Sequence, residues 1–247
     1  MISLKFLGTG SGFSTQFGSN SAYTILGNRL ILFDCTEDTR VRLQNSGALN
    51  GIEHIDCIIT HLHADHFNIG NLALFTPLPF ATGNPINIIF PNKEKIRYYM
   101  EEILQQPSFI TGVDGSRRDY WNILSPENVA DYSLIAHEAV HGIGDLDNKL
   151  IPMEAYGYLL TTNDGCIYYS GDTEKIPSNI LSRFNAGQID EIYCDCDAVN
   201  TPFPGHLKLH QIEEIFPQYV RNRVTLMHLG DNVNIKALQQ LGFKTAR

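Results

Sequence analysis

The six residues His61-Leu62-His63-Ala64-Asp65-His66 bring three imidazoles and a carboxylate into one short turn. Neutral imidazole nitrogen and carboxylate oxygen are good donors for zinc and other borderline divalent ions, so this turn could serve one ion or two neighbouring ions. Three histidines packed so closely are hard to explain as core filling. Further along, His141, Asp172 and His228 each fall just after an apolar run. A two-metal site needs about three side chains per ion, an anionic bridge and an open position for water. His61, His63, Asp65, His66, His141, Asp172 and His228 together meet that requirement.

The segments before these donors read as the strands that position them. Residues 55–60, Ile-Asp-Cys-Ile-Ile-Thr, suit a buried strand, which would place the histidine turn at a strand end, where α/β proteins hold their chemistry. Residues 23–26 and 29–33 around Gly27-Asn28 predict a hairpin that ends at Asp34. A short strand over 86–90 precedes a helix over 93–104, with Ile96, Tyr99, Met100, Ile103 and Leu104 on its packing stripe. Between Gln105 and Pro126 the pattern dissolves, which predicts a long surface loop or lid whose aromatics Tyr120-Trp121 cover a site or anchor the loop. In the second half, a strand over 133–140 delivers His141. A hairpin of 156–161 and 166–169 around Asn163-Asp164-Gly165 runs into Ser170-Gly171-Asp172-Thr173. Strands over 189–194 and 224–227 follow, each approached by a helix-like segment. The whole predicts an α/β protein with two sheets packed together and helices outside.

Composition sets the outer bounds. At 247 residues, with 43% hydrophobic and 18% charged residues, the chain reads as one globular domain over 1–247. No run approaches membrane-spanning length, so no membrane partner is expected and a cytoplasmic location is the default. The formal charge of −9 works against general affinity for polyanions. Arg117-Arg118 and Arg221-Asn222-Arg223, the dense basic spots, read as solvated loop ends. The cysteines, Cys35, Cys57, Cys166, Cys194 and Cys196, lack ribbon or redox spacing and read as reduced thiols, with Cys194 and Cys196 as small hydrophobes of a strand. His54, His137 and His210 read as structural, although His137 shares a strand face with His141 and a two-residue shift would exchange them.

His61-Leu62-His63-Ala64-Asp65-His66, followed by His141, Ser170-Gly171-Asp172-Thr173 and His228, resembles the metallo-β-lactamase superfamily of hydrolases over nearly the whole chain. More narrowly, Phe6-Leu7-Gly8-Thr9-Gly10-Ser11-Gly12 and Leu32-Phe33-Asp34-Cys35-Thr36-Glu37-Asp38-Thr39 are similar to the opening motifs of ribonuclease Z and its phosphodiesterase relatives. The resemblance implies a four-layer αβ/βα sandwich of the metallo-β-lactamase type, with two divalent ions at one edge between the sheets. Zinc is the expected metal, with manganese or iron as the other choices. It implies His61, His63 and His141 on the first ion, Asp65, His66 and His228 on the second, and Asp172 as the bridge; family position and Gly142 favour His141 over His137. The paired ions would lower the pKa of a bound water toward ~7, and Asp65 would accept a proton from that water or hold it.

Gly205-His206-Leu207 resembles the histidine motif that assists the leaving group in ribonuclease Z-like enzymes, so His206 is expected to protonate a departing alkoxide. Asp195, where those enzymes carry a glutamate, would orient His206; Asp197 lies on the same alternating face and is the competing choice. Ribonuclease Z inserts a long tRNA-clamping arm between the positions of His141 and Asp172. Here that interval reads as one short hairpin. The missing arm and the acidic balance turn the expectation from transfer RNA toward a smaller phosphodiester, such as a cyclic nucleotide or another cyclic phosphate. Lactone or thioester hydrolysis is the alternative, and a mononuclear iron oxygenase of the persulfide-dioxygenase kind is a further one. A non-enzymatic module keeping the fold would fail to bind divalent metal. Phe75-Thr76-Pro77-Leu78-Pro79-Phe80 is a candidate homodimer contact or site wall.

Overall fold

Leu30 and Leu32 join one apolar cluster while Ile31 and Phe33, between and beside them, join another. Side chains alternate across a strand, so this strand is covered on both faces, as parallel sheets require. The computed structural model describes residues 2–70, 72, 82–111, 115–145, 147 and 149–246. Its first half holds β1 (Lys5–Gly8), β2 (Ser21–Leu26), β3 (Arg29–Phe33), β4 (His54–Ile58), β5 (Ile86–Ile89), β6 (Phe109–Thr111), β7 (Arg117–Asp119) and β8 (Trp121–Leu124). One sheet runs β1-β2-β3-β4-β5-β8, antiparallel through β3 and parallel from β3 to β8.

The second half holds β9 (Ser133–Glu138), β10 (His141–Gly144), β11 (Leu150–Met153), β12 (Tyr156–Thr162), β13 (Gly165–Tyr169), β14 (Glu191–Asp195), β15 (Val224–Met227) and β16 (Lys244–Thr245). Its sheet runs β16-β15-β14-β13-β12-β9, with β13 to β16 parallel. Helices α1 (Thr39–Asn45) and α2 (Lys93–Tyr98) cover the first sheet through Leu43 and Ile96. Helices α3 (Ser178–Asn185), α4 (Leu209–Ile215) and α5 (Ile235–Gln240) cover the second through Ile180, Phe184, Ile212 and Leu238. Between the sheets, Ile31, Phe33 and Ile58 meet Tyr158, Ile167 and Tyr169, and the Phe33 and Tyr169 rings stack 4.6 Å apart. Each such buried side chain contributes about 1.5–3 kcal/mol. The result is the expected αβ/βα sandwich.

Several local expectations need correction. Residues 105–126 are not one long loop: β6 and β7 form a hairpin, and β8 pairs in parallel with β5 as an edge strand. Tyr120 and Trp121 are buried in the core, and Trp121 Nε1 donates to Pro107 O at 3.1 Å, so they anchor the segment. The strand expected over 133–140 stops at Glu138. His141 instead opens β10, which pairs with β11 in a ribbon apart from the main sheet. The interval from His141 to Asp172 therefore holds two hairpins, β10–β11 and β12–β13, where one was expected. The helix expected over 93–104 is α-helical only to Tyr98 and continues as a wider π turn over Tyr99–Ile103. The segment Phe75 to Phe80 lies outside the described residues. Among the described residues no helix is long and apolar enough to cross a membrane.

Candidate active site

The parallel strands β3, β4, β13, β14 and β15 end at one edge, and each hands a polar side chain to it. Beyond β4, the Thr60 backbone N–H donates to Asp34 Oδ1 at 2.8 Å, with the Thr60 hydroxyl 3.0 Å from both carboxylate oxygens. The chain then doubles back: the His63 carbonyl accepts from the N–H groups of His66 (3.0 Å) and Phe67 (2.9 Å). That turn folds the histidines of residues 61–66 toward one point. Gly171 lets β13 arrive beside them, since its φ is +58° and an added Cβ would lie 2.9 Å from Thr60 Cβ.

Two groups of donors result. His61 Nε2 lies 3.0 Å from His63 Nδ1, which lies 3.2 Å from His141 Nε2. In this group, and in Asp65, His66 and His228, the ligand atoms all lie within 4.8 Å of one another. Asp172 Oδ2 stands between the groups, 3.9 Å from His61 and from His141, 3.3 Å from His66 and 3.4 Å from His228. The buried atoms His66 Nε2, His228 Nε2 and Asp172 Oδ1 have no hydrogen-bond partner. Leaving such atoms unsatisfied costs about 1–3 kcal/mol each, so the geometry fits cations that would satisfy them. These clusters are of the dinuclear type.

Partners behind the rings set their tautomers. His141 Nδ1–H donates to Gly205 O at 2.9 Å and His66 Nδ1–H donates to Asp34 Oδ2 at 2.9 Å, which turns Nε2 of each ring into the site. Burial works against charge on His66, but Asp172 and Asp34 on either side raise its pKa well above the usual imidazole value. His61 goes the other way, lowered by burial and by the neighbouring His66. Burial opposes the charge on Asp172, yet His228 and His66 hold it well below the usual carboxylate range.

Next to the second group, His206 stacks on His228 with ring centroids 4.9 Å apart and planes 17° apart. Its Nδ1–H donates to Asp195 Oδ2 at 2.9 Å. Burial opposes protonation of His206, but the Asp195 carboxylate outweighs it and brings the pKa to about 9. Asp195 Oδ2 also takes the Thr173 N–H at 2.9 Å, and Oδ1 lies 3.3 Å from His228 Nδ1. Asp197 serves elsewhere: its Oδ2 accepts from Lys208 Nζ and Thr201 Oγ1, both at 2.6 Å. The two acids share a strand alternation, but the chain leaves β14 after Asp195, so Asp195 reaches His206 and His228 from behind while Asp197, at the cavity wall, is held by Lys208 and Thr201.

The donor residues of the sequence analysis thus come together at one edge. His137 stays away, edge-on to Tyr168 at 6.1 Å, and Cys194 and Cys196 are buried in the core outside the second sheet. Arg221 and Arg223 are engaged by backbone carbonyls, and Arg117 pairs with Asp119 at 2.8 Å and lies over the Phe109 ring. Sequence reasoning missed three supports: Asp34 behind His66, the Gly205 carbonyl behind His141, and Glu174, whose Oε1 accepts the Gly205 N–H at 2.6 Å. Asp34 carried a signal, an acid directly after an apolar strand. The clusters open into a cavity of about 820 Å³, and among the described residues its lining includes no lysine or arginine.

A family model described as anti-Pycsar protein Apyc1 matches residues 2–246. The chain belongs to that family. The anti-Pycsar protein Apyc1 of Paenibacillus harenae is 26% identical over 240 residues, covering 94% of this chain and 91% of that protein. A ribonuclease Z of Archaeoglobus fulgidus is 33% identical over 104 residues, covering 41% of this chain and 33% of that protein. The metallo-β-lactamase fold protein YhfI of Bacillus subtilis superposes with a TM-score of 0.66 at 13% identity, covering 98% of this chain and 94% of that one. The expected fold is therefore present, and the likeness to ribonuclease Z is distant and partial. Apyc1-family membership, this fold and the histidine–aspartate clusters make the chain a metallo-β-lactamase-fold hydrolase.

Proposed function

We propose that this protein is a two-metal phosphodiesterase whose substrate is a small cyclic phosphodiester, a cyclic nucleotide being the fitting class. His61, His63 and His141 would hold one divalent ion, Asp65, His66 and His228 the other, with Asp172 between them; zinc suits this nitrogen-rich set, and manganese or iron are the other choices. Bound there, two such ions supply an activated water at neutral pH and electrostatic stabilisation of the phosphoryl oxygens.

The chain's own residues supply the rest. Burial raises the pKa of Asp65, but His66 brings it down to about 2, so Asp65 remains a carboxylate that accepts a hydrogen bond from the attacking water and is a poor base. Water attacks phosphorus after releasing one proton to solvent, its other hydrogen staying on the new phosphate hydroxyl, and the ester P–O bond breaks. His206 gives the proton of its Nε2 to the departing oxygen, while Asp195 holds Nδ1–H and keeps the ring charged until then. General acids of this kind contribute about 10²–10⁴-fold.

The observation that carries the proposal is the His206–Asp195 pair stacked on His228 beside Asp172. A protonated imidazole next to a cation-binding site favours an anionic substrate over a neutral lactone. A lining that, among the described residues, has no lysine or arginine suits a single phosphodiester charge and disfavours polyphosphates and long RNA, in line with the net charge of −9. Metal quantification combined with a hydrolysis screen over phosphodiesters, lactones and thioesters tests it. Two divalent ions per chain with phosphodiester turnover are expected. One iron per chain with oxygen consumption, or turnover of lactones alone, would reject the proposal.

A further inference from the structure

Phe13 is 91% exposed at the tip of the β1–β2 connection, and Phe203 is 54% exposed, three residues before His206. Both line the cavity above the metal-type clusters, together with Ile143 and Val199, which are themselves exposed. A phenylalanine left almost wholly in water gives up the burial free energy that its side chain normally contributes. The loop bearing it is nevertheless not loose. Asp231 accepts from the Thr15 hydroxyl at 2.8 Å, the Thr15 N–H at 2.9 Å and the Gln16 N–H at 3.1 Å, and also from the Ser14 hydroxyl. Leu229 N–H donates to Thr9 O at 2.8 Å and Leu229 O accepts from Ser11 N–H at 3.1 Å, so the loop is stitched to the segment just after His228.

Its position relative to the chemistry is equally fixed. A Cβ on Gly12 would lie 2.3 Å from Asp65 Oδ2, so the backbone next to Phe13 presses against Asp65. Phe203 belongs to the stretch that carries His206. Both rings thus line the cavity that also holds Asp65 and His206, Phe13 next to the Gly12 that meets Asp65 and Phe203 three residues before His206. No lysine or arginine joins them among the described lining residues, so this rim offers aromatic and aliphatic surface without a cationic side chain of that kind.

We infer that Phe13 and Phe203 form an aromatic subsite for the heterocyclic base of the substrate, with Asp231 as the residue that positions Phe13. This rests on the phosphodiesterase reading above and extends it to substrate selection. Every nucleobase has a π face, and a side chain that stacks on one contributes enough for its loss to be read in kinetics.

The test compares kcat/KM for a 3′,5′-cyclic nucleotide with kcat/KM for the abasic 1-O-methylribose 3′,5′-cyclic phosphate. In Phe13→Ala and Phe203→Ala the ratio of the two is expected to fall about tenfold or more, mainly through KM for the nucleotide. Phe13→Tyr should keep the wild-type ratio, and Asp231→Ala should lower it by releasing the loop. The exposure of Phe13 makes misfolding of its variants no obstacle. A ratio within about twofold of wild type in both alanine variants overturns the subsite, including when those variants change the oligomeric state and so reveal a contact between copies. Wild-type protein inert on both cyclic phosphates would instead overturn the phosphodiesterase reading, and the subsite with it.

Discussion

Asp195 Oδ2 accepts the Nδ1–H of His206 at 2.9 Å while its other oxygen lies 3.3 Å from His228 Nδ1. One carboxylate thus steadies both the proposed acid and a proposed metal ligand. His206 has a pKa of about 9 in the fold against an ordinary 6.5, so its charged form is favoured by folding. That contribution to stability is complete below pH 6.5 and is lost as the pH rises through about 9. For catalysis the sign is the same: activity that needs protonated His206 should decline above about pH 9. In Asp195→Asn burial is left without its counterweight, so the basic limb of the kcat profile should move to lower pH. A pH–rate series on both proteins, with metal content measured alongside, reads this directly; an unmoved basic limb would remove Asp195 from the positioning role.

His206→Ala should separate substrates by leaving group. Loss of a general acid costs about 10²–10⁴-fold when an alkoxide must depart. Much less should be lost for bis-p-nitrophenyl phosphate, because p-nitrophenolate departs without protonation. Equal losses on both substrates would assign His206 to binding instead.

Asp172 Oδ2 stands within 3.9 Å of ring nitrogens from both donor groups. Asp172→Ala should therefore abolish activity and lower metal occupancy below two ions per chain. Elemental analysis after dialysis measures it, and retention of two tightly held ions would sink the bridging role.

Asp34 holds His66 Nδ1–H at 2.9 Å from a fully buried position. Partners of this kind typically change metal affinity by about 10–100-fold. Asp34→Asn should weaken metal binding by that order in competition with a chelator, with the remaining activity restored at high metal concentration. Because Asp172 and Asp34 raise the pKa of His66, metal uptake must displace a proton there, and binding should weaken as the pH falls.

The proposed metal donors were legible in sequence because the turn at residues 61–66 compresses four of them into one segment, and Asp172 and His228 follow apolar runs that form β13 and β15, whereas His141 opens β10 itself. Asp34 was not assigned a role, because its contact with His66 depends on β3 lying in parallel beside β4, a pairing that no local pattern encodes. The edge strand β8 was hidden for the same reason: Trp121-Asn122-Ile123-Leu124 has little alternation, and its pairing with β5 supplies what its own residues lack. The choice between Asp195 and Asp197 turned on where β14 ends, and element boundaries are weakly encoded.

The most direct measurement is ³¹P NMR of a 3′,5′-cyclic nucleotide incubated with metal-loaded protein at neutral pH. The cyclic phosphodiester resonance should disappear and a nucleoside monophosphate resonance replace it, with turnover abolished by chelation. A cyclic nucleotide left intact by protein that hydrolyses lactones or thioesters would contradict the phosphodiesterase assignment.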